Sequence, residues 1–224
     1  MTPKDYDAWY DTPRGRWIGD WEWAMVSDAL QLRSTDSVLD VGCGTGWFTQ
    51  RAESMAARVV GLDVDAAALD FARDRGETRI EFLQGDARSL PFPDASFDKV
   101  MSVTALCFVR DWQRAVAEIV RVTRKRFAIG LLNRHSVLYL RKGRHAGADG
   151  YAGAHWHTRA ELVHALRGFP AVECTVSSGI FDASAGAAAR VVEHVLPSSW
   201  SVGSFLLLSG RPARRGPAGG AWKV

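Results

Sequence analysis

Short apolar runs alternate with segments of helical periodicity over most of the chain. Val38, Leu39 and Val41 read as a buried strand, and Trp47 to Ala57 follows as a helix. Arg58–Leu62 is a second strand. An Ala-rich helix over Ala66–Arg75 comes next, with Gly76 in the C-cap position. Ile80–Leu83 and Phe97–Val103 read as strands three and four. Asp111-Trp112 opens a helix to about Arg124 that buries Ala115, Val116, Ile119 and Val122, and Phe127–Leu132 is strand five. Strands and helices in this alternation build an open α/β sheet, mostly parallel, with helices on both faces.

The flanks are patterned differently. Asp5–Tyr10 reads as a short helix, Thr12-Pro13-Arg14-Gly15 as a turn, and Ile18–Leu32 as a helix with Ile18, Trp21, Met25, Ala29 and Leu32 near one face. This stretch is rich in aromatics. They cover one side of the sheet, or the first segment closes over a ligand as a lid, with Trp9 or Trp17 as its contact. Beyond strand five, Gly143–Gly153 is glycine-rich. Thr158 with Glu161 forms a capping box for a helix over Arg159–Leu166. Ala171–Ser177 is a strand, Phe181–Val195 holds an Ala-rich helical insertion, and Gly203–Ser209 is the final strand. The expected organisation is one domain over residues 1–210, with a helical lid segment at 1–35 and substrate-side insertions at 133–160 and 179–200. Residues 211–224 are expected to be a disordered tail.

The first strand runs into Gly42-Cys43-Gly44-Thr45-Gly46, which brings bare backbone N–H groups to the carboxyl edge of the sheet, where open α/β folds bind ligands. The glycine spacing misses the dinucleotide fingerprint by one residue. Asp40, two positions before the first glycine, would repel a pyrophosphate but suits a cationic amino group. Asp63, at the tip of the second strand, fits the two hydroxyls of a ribose. The ligand these residues describe is a nucleoside carrying an amino acid.

With these residues the chain resembles the class I S-adenosylmethionine-dependent methyltransferases. Asp40-Val41-Gly42-Cys43-Gly44-Thr45-Gly46 matches that family's first motif, and Gly61-Leu62-Asp63-Val64-Asp65 its acidic second-strand end. Gly85-Asp86-Ala87, then Leu90-Pro91-Phe92 and Ser96-Phe97-Asp98, is similar to the small-molecule, type 11 branch that includes quinone-biosynthesis enzymes. The resemblance covers roughly residues 36–130. It implies a Rossmann-like, doubly wound sheet of seven strands with an antiparallel last strand. It also implies S-adenosylmethionine as cofactor and S-adenosylhomocysteine as its product. By the same resemblance Asp40, Gly42, Cys43, Gly44, Gly46, Asp63 and Val64 contact the cofactor. Asp86 would accept from the adenine amino group, Ala87 would offer its backbone N–H, and Thr104 would stand beside the sulfonium.

Composition narrows the partners. Lys and Arg number 28 against 25 acids, a net charge of +3, and much of the excess lies in the tail at Arg211, Arg214, Arg215 and Lys223. Nucleic acid is therefore not expected. The three cysteines, Cys43, Cys107 and Cys174, lie far apart, which suits a reducing cytoplasm. No stretch is apolar for long enough to span a membrane. A monomer or homodimer is expected.

Methyl transfer needs the donor carbon held in line with the acceptor, and a carbon or oxygen acceptor must also lose a proton. His135, His155 and His157 are the candidate bases, each with a surface or structural role as the alternative. His155 and His157 form an H-x-H pair, but no carboxylate or cysteine at ligand spacing is apparent in the sequence, so no metal is expected. Trp9, Trp17, Asn133, Tyr151 and Trp156 are the candidate walls of the acceptor site, which suggests a flat or apolar small molecule. A protein or RNA methyltransferase and a non-catalytic cofactor-binding protein are the competing readings.

Overall fold

The computed structural model describes residues 2–75, 79–143, 151–166, 171–184, 186, 193 and 195–213. The elements in chain order are α1 (Pro3–Asp11), α2 (Pro13–Leu30), β1 (Ser37–Val41), α3 (Trp47–Glu53), β2 (Arg58–Asp63), α4 (Ala66–Arg73), β3 (Glu81–Gln84) and β4 (Phe97–Val103). A 3-10 turn (Ala105–Phe108), α5 (Trp112–Val122), β5 (Thr123–Leu132), a π turn (Tyr139–Gly143), α6 (Arg159–Leu166), β6 (Ala171–Gly179) and β7 (Phe205–Pro212) complete them.

The strands form one seven-stranded sheet in the order β3-β2-β1-β4-β5-β7-β6. β1 to β5 are parallel, and β7 runs antiparallel between β5 and β6. The order reverses at β1 and β4, so the crevice between their carboxyl ends is the topological switch point. One core layer packs α5 against one face through Ala115, Val116, Ile119 and Val122. The other packs Ile18, Val26 and Leu30 of α2 and Trp47 and Phe48 of α3 against the opposite face.

Several boundaries differ from the sequence reading for identifiable reasons. The stretch from Thr12 to Gly15 begins a helix rather than forming a turn. Thr12 accepts from the Gly15 N–H at 3.0 Å and Pro13 takes the first helical position, where its missing N–H costs nothing. β7 extends to Pro212, so Arg211 and Pro212 belong to the sheet and not to a tail. Residues 214–224, Gly76, most of Phe181–Val195 and part of Gly143–Gly153 lie outside the described residues. The Thr158–Glu161 capping box forms as expected: Thr158 N–H donates to Glu161 Oε2 at 2.7 Å, and Glu161 N–H donates to Thr158 Oγ1 at 3.2 Å.

Candidate functional site

The tips of β1, β2, β3 and β4 open onto one cavity of about 740 Å³, lined by Asp40, Gly42, Gly44, Asp63, Asp86 and Thr104 among others. That volume is in the range of small-molecule and cofactor sites. Its opposite wall is the N-terminal helix, through Thr2, Pro3, Tyr6 and Tyr10. A smaller cavity of about 260 Å³ beside Arg14, Leu138 and Phe181 contains none of the glycine-loop or strand-tip residues.

The glycine loop is built by its neighbours on β2. Leu62 carbonyl accepts from Gly42 N–H at 2.7 Å and from Cys43 N–H at 3.1 Å. Asp63 Oδ2 accepts from Gly44 N–H at 2.7 Å, and Asp63 Oδ1 from Asp65 N–H at 2.9 Å. The expectation of bare N–H groups at Gly42, Cys43 and Gly44 is therefore corrected, because the second strand already takes them. The loop offers shape rather than an anion nest. A Cβ on Gly42, whose φ is +77°, would stand 2.2 Å from Ala105 Cβ, so the loop lies close under the tip of β4. A Cβ on Gly44 would meet nothing within 4 Å.

Three of the four carboxylates that line this cavity are in different states. Asp40 is buried, and Thr49 Oγ1 donates to its Oδ2 at 2.7 Å. Burial pushes its carboxyl up to about 7, with the Asp63 charge adding to the effect. Asp63 keeps acceptor capacity beyond its two backbone donors. Asp86 is clasped by the Arg88 guanidinium at 2.6–3.0 Å, which holds its carboxyl down at about 2. Much of its acceptor capacity is thus spent on Arg88.

The N-terminal residues that line the cavity differ from those expected. Trp9 and Trp17 do not line the cavity; they pack against the core layer beneath α2. Tyr6 and Tyr10 line it instead, with their hydroxyls 3.1 Å apart. Tyr10 stacks on Trp47 with ring centroids 4.3 Å apart. Burial pushes the Tyr10 phenol well above its ordinary value, so it stays protonated, while Tyr6 keeps 38% of its surface exposed. Below them Glu22, on α2, is buried and has no side-chain hydrogen bond among the described residues. Burial alone pushes its carboxyl up to about 8. The sequence reading missed Glu22 because it placed the buried face of α2 one residue away, on Trp21, Met25 and Ala29. The buried line is Ile18, Glu22, Val26 and Leu30. The i, i+4 spacing of Glu22 from Ile18 and Val26 was the available signal.

The other sequence-predicted residues lie apart from the cavity lining. Asn133 is fully buried. Its amide donates to the carbonyls of Ser201 and Gly203 at 2.9 and 2.6 Å and accepts from His135 N–H at 3.0 Å, so it ties loops together. Trp156 is buried between Tyr139 and Tyr151. Tyr151 is half-buried and close enough to perturb Tyr6. His135 is exposed. His157 is fully buried, and burial pushes its imidazole down to about 3. His155 is tied to the turn that the cavity uses and His157 to the end of β5: His155 N–H donates to Cys107 carbonyl at 2.7 Å, and His157 N–H to Leu132 carbonyl at 2.8 Å. The absence of a carboxylate near this pair is corrected as well. Glu161 Oε1 stands 3.8 Å from His155 Nε2. All three thiols are free.

An open α/β sheet with a glycine loop at its switch point and an acidic second-strand tip defines a nucleoside-binding protein of the Rossmann-like class. Residues 39–127 match the family model described as a methyltransferase domain. Over this stretch the chain carries the methyltransferase domain of the type 11 group of S-adenosylmethionine-dependent methyltransferases, and S-adenosylmethionine is the cofactor of that family. It is 37% identical over 171 residues to an uncharacterised protein of Mycobacterium tuberculosis, covering 72% of this chain and 55% of that one. It is 41% identical over 87 residues to a malonyl-[acyl-carrier protein] O-methyltransferase of Yersinia pestis, covering 39% of this chain and 32% of that one. The chain thus spans about half or less of the length of these relatives. In structure it is similar to a methyltransferase of Thermotoga maritima described as a possible histamine N-methyltransferase. The TM-score is 0.69 at 24% identity, over 93% of this chain and 94% of that one. Among the described residues no helix is long and apolar enough to cross a membrane.

Proposed function

We propose that this chain transfers the methyl group of S-adenosylmethionine to a small molecule held under the N-terminal helix. The observation that carries this reading is a single cavity with the strand tips on one wall and the paired tyrosines on the other. The residues present fit the cofactor. The loop N–H groups are already bonded, which suits a nucleoside and not a pyrophosphate. When bound, S-adenosylmethionine supplies an electrophilic methyl on a cationic sulfur.

The protein's own groups then bind and orient. Asp63 accepts from ribose hydroxyls while bracing the glycine loop. Asp40 receives the methionine ammonium, which draws its carboxyl back to the ionised state. Gly42, Cys43, Gly44 and Gly46 supply side-chain-free backbone, and Val64 and Ala87 provide apolar wall for the adenine. Asp86 serves its role there with Arg88 attached. Thr104 stands at the reacting end. Of the paired tyrosines, one hydroxyl donates to the other, and the remaining phenol proton is free to donate to the acceptor. The three histidines, set outside this lining, do not act as the base in this reading.

The domain is read as residues 1–210, with 1–35 as lid and 133–160 and 179–200 on the acceptor side, working in the cytoplasm as a monomer or homodimer. The absence of a concentrated basic excess in the composition points away from RNA. Incubation with methyl-labelled donor and a cell extract tests the reading. Label is expected in the small-metabolite fraction. Label only in protein or RNA, or in no fraction despite donor binding, would overturn it.

A further inference from the structure

Independently of the methyl-transfer reading, the structure carries a second cluster, tied to the Ala105–Phe108 turn through the bond from His155 N–H to the Cys107 carbonyl. His155, His157 and Glu161 each turn one ligand-type atom toward the others, and these atoms all lie within 4.8 Å of one another. We propose that they bind a divalent transition-metal cation of the zinc type.

His157 is the fixed member. It is fully buried, and neither Nδ1 nor Nε2 has a hydrogen-bond partner. A neutral imidazole carries one donor and one acceptor, and leaving such groups unmet in an interior is costly. The residue is nevertheless held in place. Its backbone bonds to Leu132 and Arg134, both at 2.8 Å, and its ring meets the Trp112 ring edge-on at 4.8 Å. A rigid, buried ring with a lone pair and no protein partner is a group that a cation would satisfy.

His155 and Glu161 are the adjustable members. The two imidazole centroids are 4.5 Å apart. Glu161 commits Oε2 to the Thr158 N–H at 2.7 Å and leaves Oε1 facing His155 Nε2 at 3.8 Å. Both side chains are partly open to solvent, 47% for His155 and 38% for Glu161, which gives a cation a way in. Ligand atoms around a tetrahedral zinc at its usual bond lengths sit about 3.4 Å apart. The two outer side chains need only close in on the fixed ring. Arg159, the cation next along the chain, is drawn away to the Val176 carbonyl at 2.6 Å.

The donor set selects the metal. Two imidazoles and one carboxylate suit zinc and its neighbours, whereas magnesium and calcium favour oxygen alone. Three protein ligands leave one position for water or another small donor. The bound ion would tie the start of α6 to the end of β5, through the bridge between Asn133 and His157.

The test uses the full chain, dialysed against chelator and then titrated calorimetrically with zinc or with cobalt(II), whose visible absorption reports four-coordinate geometry. One equivalent per chain and a higher melting temperature are expected. Glu161→Gln keeps the capping box, since Gln serves at that position, and removes the charged ligand. It and His155→Asn should each weaken binding at least about tenfold, with metal-free folding unchanged by circular dichroism. His135→Asn should bind as wild type. No stoichiometric uptake, or uptake that Glu161→Gln and His155→Asn leave unchanged, would overturn the proposal. Neither result depends on methyl transfer.

Discussion

Thr45, in the glycine loop, donates its hydroxyl to Asp7 of the N-terminal helix at 3.1 Å. The same carboxylate oxygen receives the Arg75 guanidinium from the end of α4. One side chain, only 12% exposed, thus joins the N-terminal helix to the loop and to the segment that follows the second crossover helix. An ion pair this sheltered is screened less than a surface pair. Asp7→Ala should release the lid while leaving the sheet intact. Affinity for S-adenosylhomocysteine should fall about fivefold, a change of about 1 kcal/mol. Cleavage within residues 1–12 by a limiting protease should accelerate. Unchanged affinity and protection would mean that the helix is held by its aromatic packing alone.

Two glycines of the loop should fail in different ways. Gly42→Ala forces a Cβ to within 2.2 Å of Ala105 and should disturb the tip of β4, lowering the melting temperature. Gly44→Ala meets no atom within 4 Å and should cost about 1 kcal/mol for its positive φ. It should fold, yet bind cofactor poorly, because its methyl enters the cavity. Thermal melts paired with binding measurements separate the two outcomes. Equal binding by Gly44→Ala and wild type would place the cofactor elsewhere.

Glu22 sets a pH dependence of stability. Its folded carboxyl titrates at about 8 against an ordinary 4.5, so between those values the folded state holds a proton that the unfolded state has released. Stability should therefore fall as pH rises from about 4.5 to about 8, and Asp40 adds the same sign up to about 7. Glu22→Gln keeps the size and removes the cost of ionisation. It should melt about 5 °C or more above wild type at pH 9 and close to it at pH 4. Parallel melting curves across that range would show that Glu22 is hydrated in the folded protein.

Much of the nucleotide-binding half was legible from residue pattern. β4 matches its expected span, and the strands behind Gly42, Asp63 and Asp86 fall within a residue or two of theirs. Local patterning suffices there, because apolar runs, glycines and strand-end acids each have one role. The acceptor half was not legible in the same way. Trp9 and Trp17 carry the larger rings, but Tyr6 and Tyr10 face the cavity: the helical phase of α1 turns Tyr6 and Tyr10 inward and Trp9 aside, and Trp17 lies on α2. Glu22 broke the rule that a buried helical face is apolar. Glu161 was read as a cap and is also a neighbour of His155, a contact made only when the chain folds back against Cys107 and Leu132.

The central claim is that Asp63 and the loop it braces receive the nucleoside of S-adenosylmethionine. Titration calorimetry with S-adenosylhomocysteine tests it most directly, using wild type and Asp63→Ala, each checked for folding by circular dichroism. Wild type is expected to bind one molecule per chain. Asp63→Ala is expected to bind about 10- to 100-fold more weakly, a loss of about 1–3 kcal/mol. Equal affinity in the two proteins, or no uptake by wild type while nicotinamide dinucleotide binds, would contradict the account.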